Sequence, residues 1–217
     1  MRIESIGVRT NNFENLGEAL QEIGDIMECL KNREFILSNL RIGLQAESEE
    51  WIVKKDTDYD GIESYLYVFC GEKEGEIRTA KVAYHMLTEV GIAVKEAWKR
   101  AEKNTFSDIC VEHIMKLLLG ISEEEANLFG TPMYVVTNKR AYRGASVILH
   151  DETLKKFRDK LQAEKIVIFP SSIHECIVIP YDESISIEQM SDMVRTINAT
   201  DVEEEDVLSN KAYIVAV

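Results

Sequence analysis

The chain has 217 residues, of which 45% are hydrophobic and 29% charged, a composition typical of globular proteins. A chain of this length buries roughly two-thirds of its unfolded surface, so its stability requires no disulfide or structural metal. The formal net charge is −14, and the basic residues do not cluster but occur as isolated pairs, which excludes nucleic acid and an anionic membrane as partners.

The apolar runs and the cysteines indicate the compartment. No run approaches the roughly 20 apolar residues that a membrane helix needs, and the N-terminal residues do not form a signal-peptide pattern. The four cysteines are scattered, without a C-x-x-C pair, and each lies among apolar residues. The sequence therefore predicts a cytoplasmic protein, outside the membrane, with four free thiols.

The first predicted elements are a strand at residues 2–9 and a helix capped by Asn11 or Asn12. The helix carries apolar residues at alternating steps of three and four, which places them on one face: Phe13, Leu16, Leu20, Ile23, Met27 and Leu30. We interpret this face as directed toward the core, because the pattern stops by Glu34. A homodimer through the helix from Phe13 to Leu30 is the alternative.

The next segment contains a pattern that resembles a calcium loop. Residues 35–44 fit either a helix or a strand, and residues 46–61 are polar and acidic. They end in Asp-x-Asp-x-Asp-Gly at 56–61, the opening of an EF-hand loop. That loop requires a glutamate at position 67, where this chain has Tyr67. We therefore predict a solvated turn and no metal site.

The middle of the chain reads as one strand followed by helices. We predict a strand at 65–70, a turn at 71–75 and a helix at 79–89 that Gly91 ends. A second helix runs to Lys103 with Trp98 on its apolar side. Ser107 is predicted to cap a helix over 109–119, and Ser122 with Glu125 forms a capping box for a short helix.

The last part alternates strand pairs with helices. Strands are predicted at 133–137 and 145–149, at 166–169 and 176–179, and at 213–217. Asp151 caps a helix that follows the first pair. The second pair is followed by two capping boxes, Ser186 with Gln189 and Thr200 with Glu203, each opening a helix.

This order predicts the fold class. Short turns between paired strands imply antiparallel hairpins, so we expect an α+β protein with a mainly antiparallel sheet built from strand-strand-helix units and additional N-terminal helices. The division predicted is an N-terminal α+β part, 1–78, and an α+β domain, 79–217. Both faces of strand 176–179 are apolar, so its second face needs a cover, from the N-terminal helices or another subunit.

The connection between the two central strands, residues 170–175, is the richest cluster of reactive residue types. A zinc peptidase needs His-Glu-x-x-His, but the position three after Glu175 is Val178. A serine hydrolase would need a Gly-x-Ser-x-Gly elbow, which the chain lacks. Cys176 lies two residues from His174, yet it begins an apolar run, which favours a buried thiol over a nucleophile. No catalytic residue or cofactor is assigned.

We interpret the connection as a structured turn, with partners at the ends of neighbouring elements. The candidate binding residues are Ser171, Ser172, His174, Glu175, Thr137, Asn138 and Asn198. The function favoured is a non-catalytic binding or interaction module with a protein or peptide partner. The alternative is a hydrolase or transferase with its site on residues 171–175, where His174 is the base and Asn138 a polarising group.

Several phrases of the sequence resemble an uncharacterised bacterial family, the domain of unknown function 5688. They are Ala97-Trp98 with Asn104-Thr105, Tyr134-Val-Val-Thr-Asn138, Gly144-Ala145, Phe169-Pro-Ser-Ser-Ile-His-Glu175, Ile197-Asn-Ala-Thr200 and Leu208-Ser209. The resemblance covers about residues 84–217. It implies a soluble, cytoplasmic protein of anaerobic bacteria and no particular reaction.

Overall fold

The computed structural model describes residues 16–217 of the chain. The predicted strand at 2–9, the cap at Asn11 or Asn12 and the position of Phe13 lie outside these residues. The chain divides into two compact units. The first comprises the described part of Met1–Ile42 together with Glu49–Lys55 and Tyr65–Thr105, and the second comprises Gly43–Ser48, Asp56–Ser64 and Phe106–Val217. The predicted boundary between residues 78 and 79 stays a prediction.

The first half of the chain combines short helices with one sheet. Its elements are α1 (Leu16–Cys29), α2 (Arg33–Asn39), β1 (Leu40–Ala46), β2 (Lys54–Asp56), β3 (Ile62–Lys73), β4 (Glu76–Lys81), α3 (Tyr84–Glu89) and α4 (Val94–Thr105). The sheet order is β1-β3-β2, with β4 also paired to β3. Residues 35–44, which fit either a helix or a strand, thus contain the end of α2 and most of β1.

A tight hairpin replaces the start of the helix predicted at 79–89. Glu74 and Gly75 both adopt positive φ angles, 54° and 83°, as a two-residue hairpin turn requires. β4 therefore folds back on β3, with Lys73 opposite Glu76. The prediction was wrong for its first residues, and the helix begins only at Tyr84. The predicted helix that carries Trp98 is confirmed as α4, where Trp98 is buried.

The second half of the chain builds a five-stranded antiparallel sheet of order β5-β6-β8-β7-β9. Its elements are β5 (Ile109–His113), α5 (Ile114–Leu119), α6 (Glu123–Ala126), β6 (Tyr134–Asn138), a 3-10 helix (Gly144–Leu149), α7 (Asp151–Leu161), β7 (Lys165–Phe169), β8 (Cys176–Pro180), α8 (Ile187–Asp201), a 3-10 helix (Glu204–Asp206) and β9 (Tyr213–Ala216). The predicted fold class is confirmed, and so are the strands that became β6, β7, β8 and β9.

Helices cover both faces of this sheet. On one face Ile168 and Val178 pack with Phe157 of α7, and all three are buried. On the other face Val167 packs against Met190 and Val194 of α8. Alternate residues of a strand point to opposite faces, and both faces are covered here, which explains why residues 166–169 and 176–179 are apolar without a break. Part of the second face is thus covered by α8, which the sequence had not suggested for this role.

Three further predictions of secondary structure were wrong. Residues 109–113 form a strand, β5, because they pair with β6, and the helix α5 starts only after His113, whose side chain accepts the N–H of Met115. Residues 145–149 belong to a buried 3-10 helix rather than a strand. Thr200 lies inside α8 and donates to the Thr196 carbonyl at 3.1 Å, so it does not open a new helix.

Within residues 16–217, no helix combines the length and apolar character needed to cross a membrane.

Candidate functional site

The 170–175 turn joins β7 to β8 and is paired along one side with the chain that follows α8. The carbonyls of Pro170 and Ser171 accept the N–H groups of Ser209 and Leu208, at 3.1 and 3.0 Å. The N–H of Ile173 donates to the Asp206 carbonyl at 2.9 Å. These three main-chain hydrogen bonds resemble those between neighbouring strands of a sheet. They fix the backbone of the turn without any contribution from side chains.

The opposite side of the turn is fixed by the segment after β6. The carbonyl of His174 accepts the N–H of Gly144 at 2.9 Å and the hydroxyl of Thr137 at 2.7 Å. The carbonyl of Ile173 accepts the N–H of Ala145 at 3.3 Å. Thr137, predicted to be a partner of the turn, thus contacts it directly, and its buried hydroxyl is used to position the backbone.

Both ring nitrogens of His174 face a partner. Nδ1 accepts the N–H of Arg143 at 3.2 Å, and Nε2 lies 3.3 Å from a carboxylate oxygen of Asp206. The Arg143 bond uses the lone pair of Nδ1, and Nε2 is the nitrogen that faces Asp206. The ring of Tyr142 lies beside it, with centroids 5.3 Å apart. In this arrangement His174 has no nitrogen left to take a proton from a third group.

The serines and Glu175 do not complete a relay with this ring. The buried Ser172 accepts the main-chain N–H of His174 at its hydroxyl oxygen, 3.0 Å away, which closes a local turn. Ser171 contributes its carbonyl to Leu208, as described above. Glu175 is half-buried and directly precedes β8. The hydrogen bond of the Ser172 hydroxyl is thus to the backbone of His174 and not to its imidazole.

Asn138 stabilises the loop that places the N–H of Arg143 next to the His174 imidazole. Its amide nitrogen donates to the Tyr142 carbonyl at 2.8 Å, and its oxygen accepts the N–H of Arg140 at 3.0 Å. Two residues of this loop, Ala141 and Arg143, have left-handed backbones with φ of 48° and 50°. Asn138 therefore acts on the 170–175 turn only through the loop.

Asn198 lies apart from the other predicted residues. It is buried in α8, and its amide nitrogen donates to the Ser209 carbonyl at 2.9 Å and to the Asn210 side chain at 2.8 Å. Ser209 also bonds to Pro170, so Asn198 is linked to the turn through one intermediate residue. Within the described residues the side-chain amide oxygen of Asn198, Oδ1, has no hydrogen-bond partner.

Two residues that shape this site, Gly144 and Asp206, were not predicted from the sequence. Gly144 approaches the turn so closely that a Cβ would overlap the Thr137 hydroxyl and lie 2.8 Å from the His174 carbonyl oxygen. Asp206 comes from a segment that the sequence does not connect with the turn. A glycine directly before an apolar run is a signal of close backbone approach, and it could have marked Gly144, whereas Asp206 has no comparable signal.

Chemistry based on sulfur or on a metal finds no support in the described residues. Cys176 is fully buried, with its sulfur 3.9 Å from the Ala145 carbonyl, and burial raises the pKa of its thiol far above the ordinary value. Such a thiol stays protonated and unreactive. Among residues 16–217, no three His, Cys, Asp or Glu side chains are grouped so that they could hold a metal ion.

A second feature lies on the surface of the same unit. Five large apolar side chains of α5 and of the segment after α6 are at least half exposed, and we call them the leucine patch: Leu117 (56%), Leu118 (70%), Leu119 (53%), Leu128 (82%) and Phe129 (50%). α5 contacts α6, the short helix that ends two residues before Leu128. A single helix was predicted over residues 109–119, and the patch was not identified from the sequence. The signal was available, because three consecutive leucines in a helix cannot all face one core.

The fold and this site define the chain as an α+β protein built on a five-stranded antiparallel sheet with helices on both faces. Residues 57–215 match the family described as "Family of unknown function (DUF5688)", and the chain belongs to this family. The resemblance noted in the sequence is thereby confirmed and extended toward the N-terminus. No curated protein and no solved structure matches the chain.

Proposed function

We propose that the protein is a non-catalytic interaction module that binds a protein or peptide partner through the leucine patch. The observation that carries the proposal is the exposure of five large apolar side chains, between 50% and 82%, on two neighbouring elements. Scattered exposed apolar residues are normal, whereas a group of this kind marks an interaction surface. Burying such a group against a partner is favourable by about 25 cal/mol per Å² of apolar area.

The 170–175 turn supports the non-catalytic part of the proposal. A hydrolase or transferase on this turn would use His174 as the base and Asn138 as a polarising group. In the structure the acceptor nitrogen of His174 is occupied by Arg143, and the amide of Asn138 is bonded within its own loop. These hydrogen bonds fit the side chains of a structured turn, which is the role the proposal gives them.

A peptide library selected against the folded protein tests the proposal. We expect the selected peptides to lose at least about tenfold in affinity for a Leu118→Ser/Leu128→Ser double variant. The control is Met193→Ser, which changes an apolar side chain on α8 that is also more than half exposed, at 51%. Selected peptides that bind the double variant and the wild type equally would refute the leucine patch as the binding surface.

A further inference from the structure

The surroundings of the leucine patch are acidic. Between Glu112 and Gly130 the chain has four carboxylates and one lysine, and three of the carboxylates are consecutive: Glu123, Glu124 and Glu125. These three form the first turn of α6, directly before Leu128 and Phe129. We call Glu112 and Glu123–Glu125 the anionic rim of the patch.

The nearby lysines do not neutralise this rim. Lys116 forms an ion pair with Glu112 at 2.6 Å, and Lys160 of α7 forms one with Glu123, also at 2.6 Å. Among the described residues, Glu124 and Glu125 form no ion pair with a lysine or arginine. An excess of negative charge therefore remains beside the apolar side chains.

Two carboxylates of the rim, Glu123 and Glu125, are stabilised in their ionised form. The hydrogen bond from Lys160 lowers the pKa of Glu123, and the backbone N–H of Ser122 lowers that of Glu125. Carboxylates in the first turn of a helix are also favoured by the positive end of its dipole. A partner that covers the patch consequently approaches a surface whose edge is negative.

This charge discriminates between the occupants that an apolar patch could have. In a symmetric contact with a second copy, the same surface occurs on both sides, so each rim would lie near an identical rim. The chain also carries a formal charge of −14, which adds repulsion between copies. A partner with apolar residues flanked by lysine or arginine would instead bury the leucines and pair with Glu124 and Glu125.

We infer that the leucine patch and its anionic rim bind a cationic amphipathic segment of another protein, with apolar side chains on one face and basic side chains along its edges. This inference rests on the proposed interaction function and specifies the chemistry of the partner. Apolar contacts supply the affinity, and the rim selects the sign of the partner's charge and speeds association at low salt.

Defined peptides test the inference. The probe is a capped synthetic peptide of about 14 residues with leucines on one helical face and lysines elsewhere, and its matched control has glutamate in place of each lysine. We expect the lysine peptide to bind the folded protein at least about tenfold more tightly than the glutamate peptide, with affinity falling as salt is raised. A scrambled lysine peptide, without an apolar face, should bind at least about tenfold more weakly.

Variants of the protein locate the interaction. Leu118→Ser/Leu128→Ser should weaken binding of the lysine peptide at least about tenfold, and Met193→Ser should leave it unchanged. Glu124→Gln should weaken it roughly threefold and reduce its salt dependence, because one rim charge is removed while the cap of α6 is kept.

Each other outcome overturns a distinct claim. Equal binding of the lysine and glutamate peptides, with both lost in the double leucine variant, would refute the charge inference and leave the interaction function standing. Binding that is insensitive to the leucines would refute both. A dimer of the protein alone that Leu118→Ser dissociates would show that a second copy occupies the patch, and would also refute the inference.

Discussion

The N–H of Arg143 donates to Nδ1 of His174 at 3.2 Å, although 31 positions separate the two residues. This bond ties the loop after β6 to the turn between β7 and β8. It also occupies the lone pair of Nδ1, which therefore cannot accept a hydrogen bond from another group. His174 therefore acts as a connection between two segments of the fold, and the following predictions start from that role.

Replacing His174 should lower stability without affecting peptide binding. His174→Ala removes the acceptor for Arg143 and the group that faces Asp206, so we expect a loss of about 1–2 kcal/mol in the free energy of unfolding. His174→Asn should lose less, because its side-chain oxygen can occupy the place of Nδ1. Urea unfolding measures both, with His85→Ala, at an exposed position, as the control. A His174→Ala variant as stable as the wild type would contradict the structural role.

Gly144→Ala should be among the most damaging small substitutions. The added methyl would lie 2.6 Å from the Asn138 nitrogen and 2.8 Å from the His174 oxygen, both backbone atoms that cannot move aside cheaply. We expect a loss of more than about 2 kcal/mol in chemical unfolding. The control is Gly24→Ala in α1, where nothing lies within 4 Å of the new methyl and a gain of about 0.5–1 kcal/mol is expected. Equal effects at the two glycines would show that the close approach is not present.

A charge in the centre of the sheet should prevent folding. Val178 is fully buried in β8 between β6 and β7, and Val178→Asp would place a carboxylate there without a partner. We expect a loss of more than about 4 kcal/mol, seen as insoluble protein or as the absence of a cooperative melting transition. Ala216→Asp, at an exposed position of β9, should remain folded. A soluble Val178→Asp variant that melts cooperatively would refute the position of β8.

The four thiols should react in an order set by burial. Cys29 is exposed, Cys70 and Cys110 are half-buried, and Cys176 is fully buried. Burial raises the pKa of Cys70 to about 11, so at pH 8 it is almost entirely protonated and reacts slowly even where reagent reaches it. Labelling of the native protein, followed by peptide mass analysis, should modify Cys29 first and Cys176 only after unfolding. Early modification of Cys176 would contradict the core described above.

The Ser122 cap should be visible in the titration of Glu125. The backbone N–H and the side chain of Ser122 lower the pKa of the Glu125 carboxyl. A lowered folded-state pKa adds stability that is present above the unfolded-state value and is lost as the pH falls through the folded-state value. Carbon-detected NMR titration should therefore find Glu125 below the usual glutamate range, and Ser122→Ala should raise it. The same value in both proteins would contradict the cap.

The sequence predicted the central strands well because their signal is local. The apolar runs around Ile168 and Val178 are β-branched, short and bounded by proline, and they became β7 and β8. Residues 109–119 were predicted as one helix, and the prediction failed because a strand is followed there directly by a helix. Both segments are apolar there, and only the pairing of Val111 with Val136 across the sheet separates them. Residues 145–149 have the composition of a strand, but contacts on all sides fix them as a 3-10 helix.

The sequence allowed the residues of the candidate site to be chosen, but it did not reveal the groups to which they hydrogen-bond. Thr137 was chosen for its position at an element end and His174 as part of the reactive turn, and the Thr137 hydroxyl donates to the His174 carbonyl. The groups that meet them are partly main-chain groups: the N–H of Arg143 donates to the His174 ring, and the His174 carbonyl accepts from Thr137 and Gly144. Asp206 instead contributes its side-chain carboxylate. The sequence indicated a structured turn, but a backbone donor leaves no mark in a sequence, so the segments that hold the turn became visible only in three dimensions.

The strand order of the five-stranded sheet has a consequence for biosynthesis. β7 lies between β8 and β9, and β9 follows α8 late in the chain. On a ribosome that has released the chain only as far as α8, β7 can pair with β8 but its other edge is open. An open edge can pair with a strand of another nascent chain. Closure of the sheet must therefore wait until β9 has left the exit tunnel, which makes this edge the step at which neighbouring chains on a polysome can mispair.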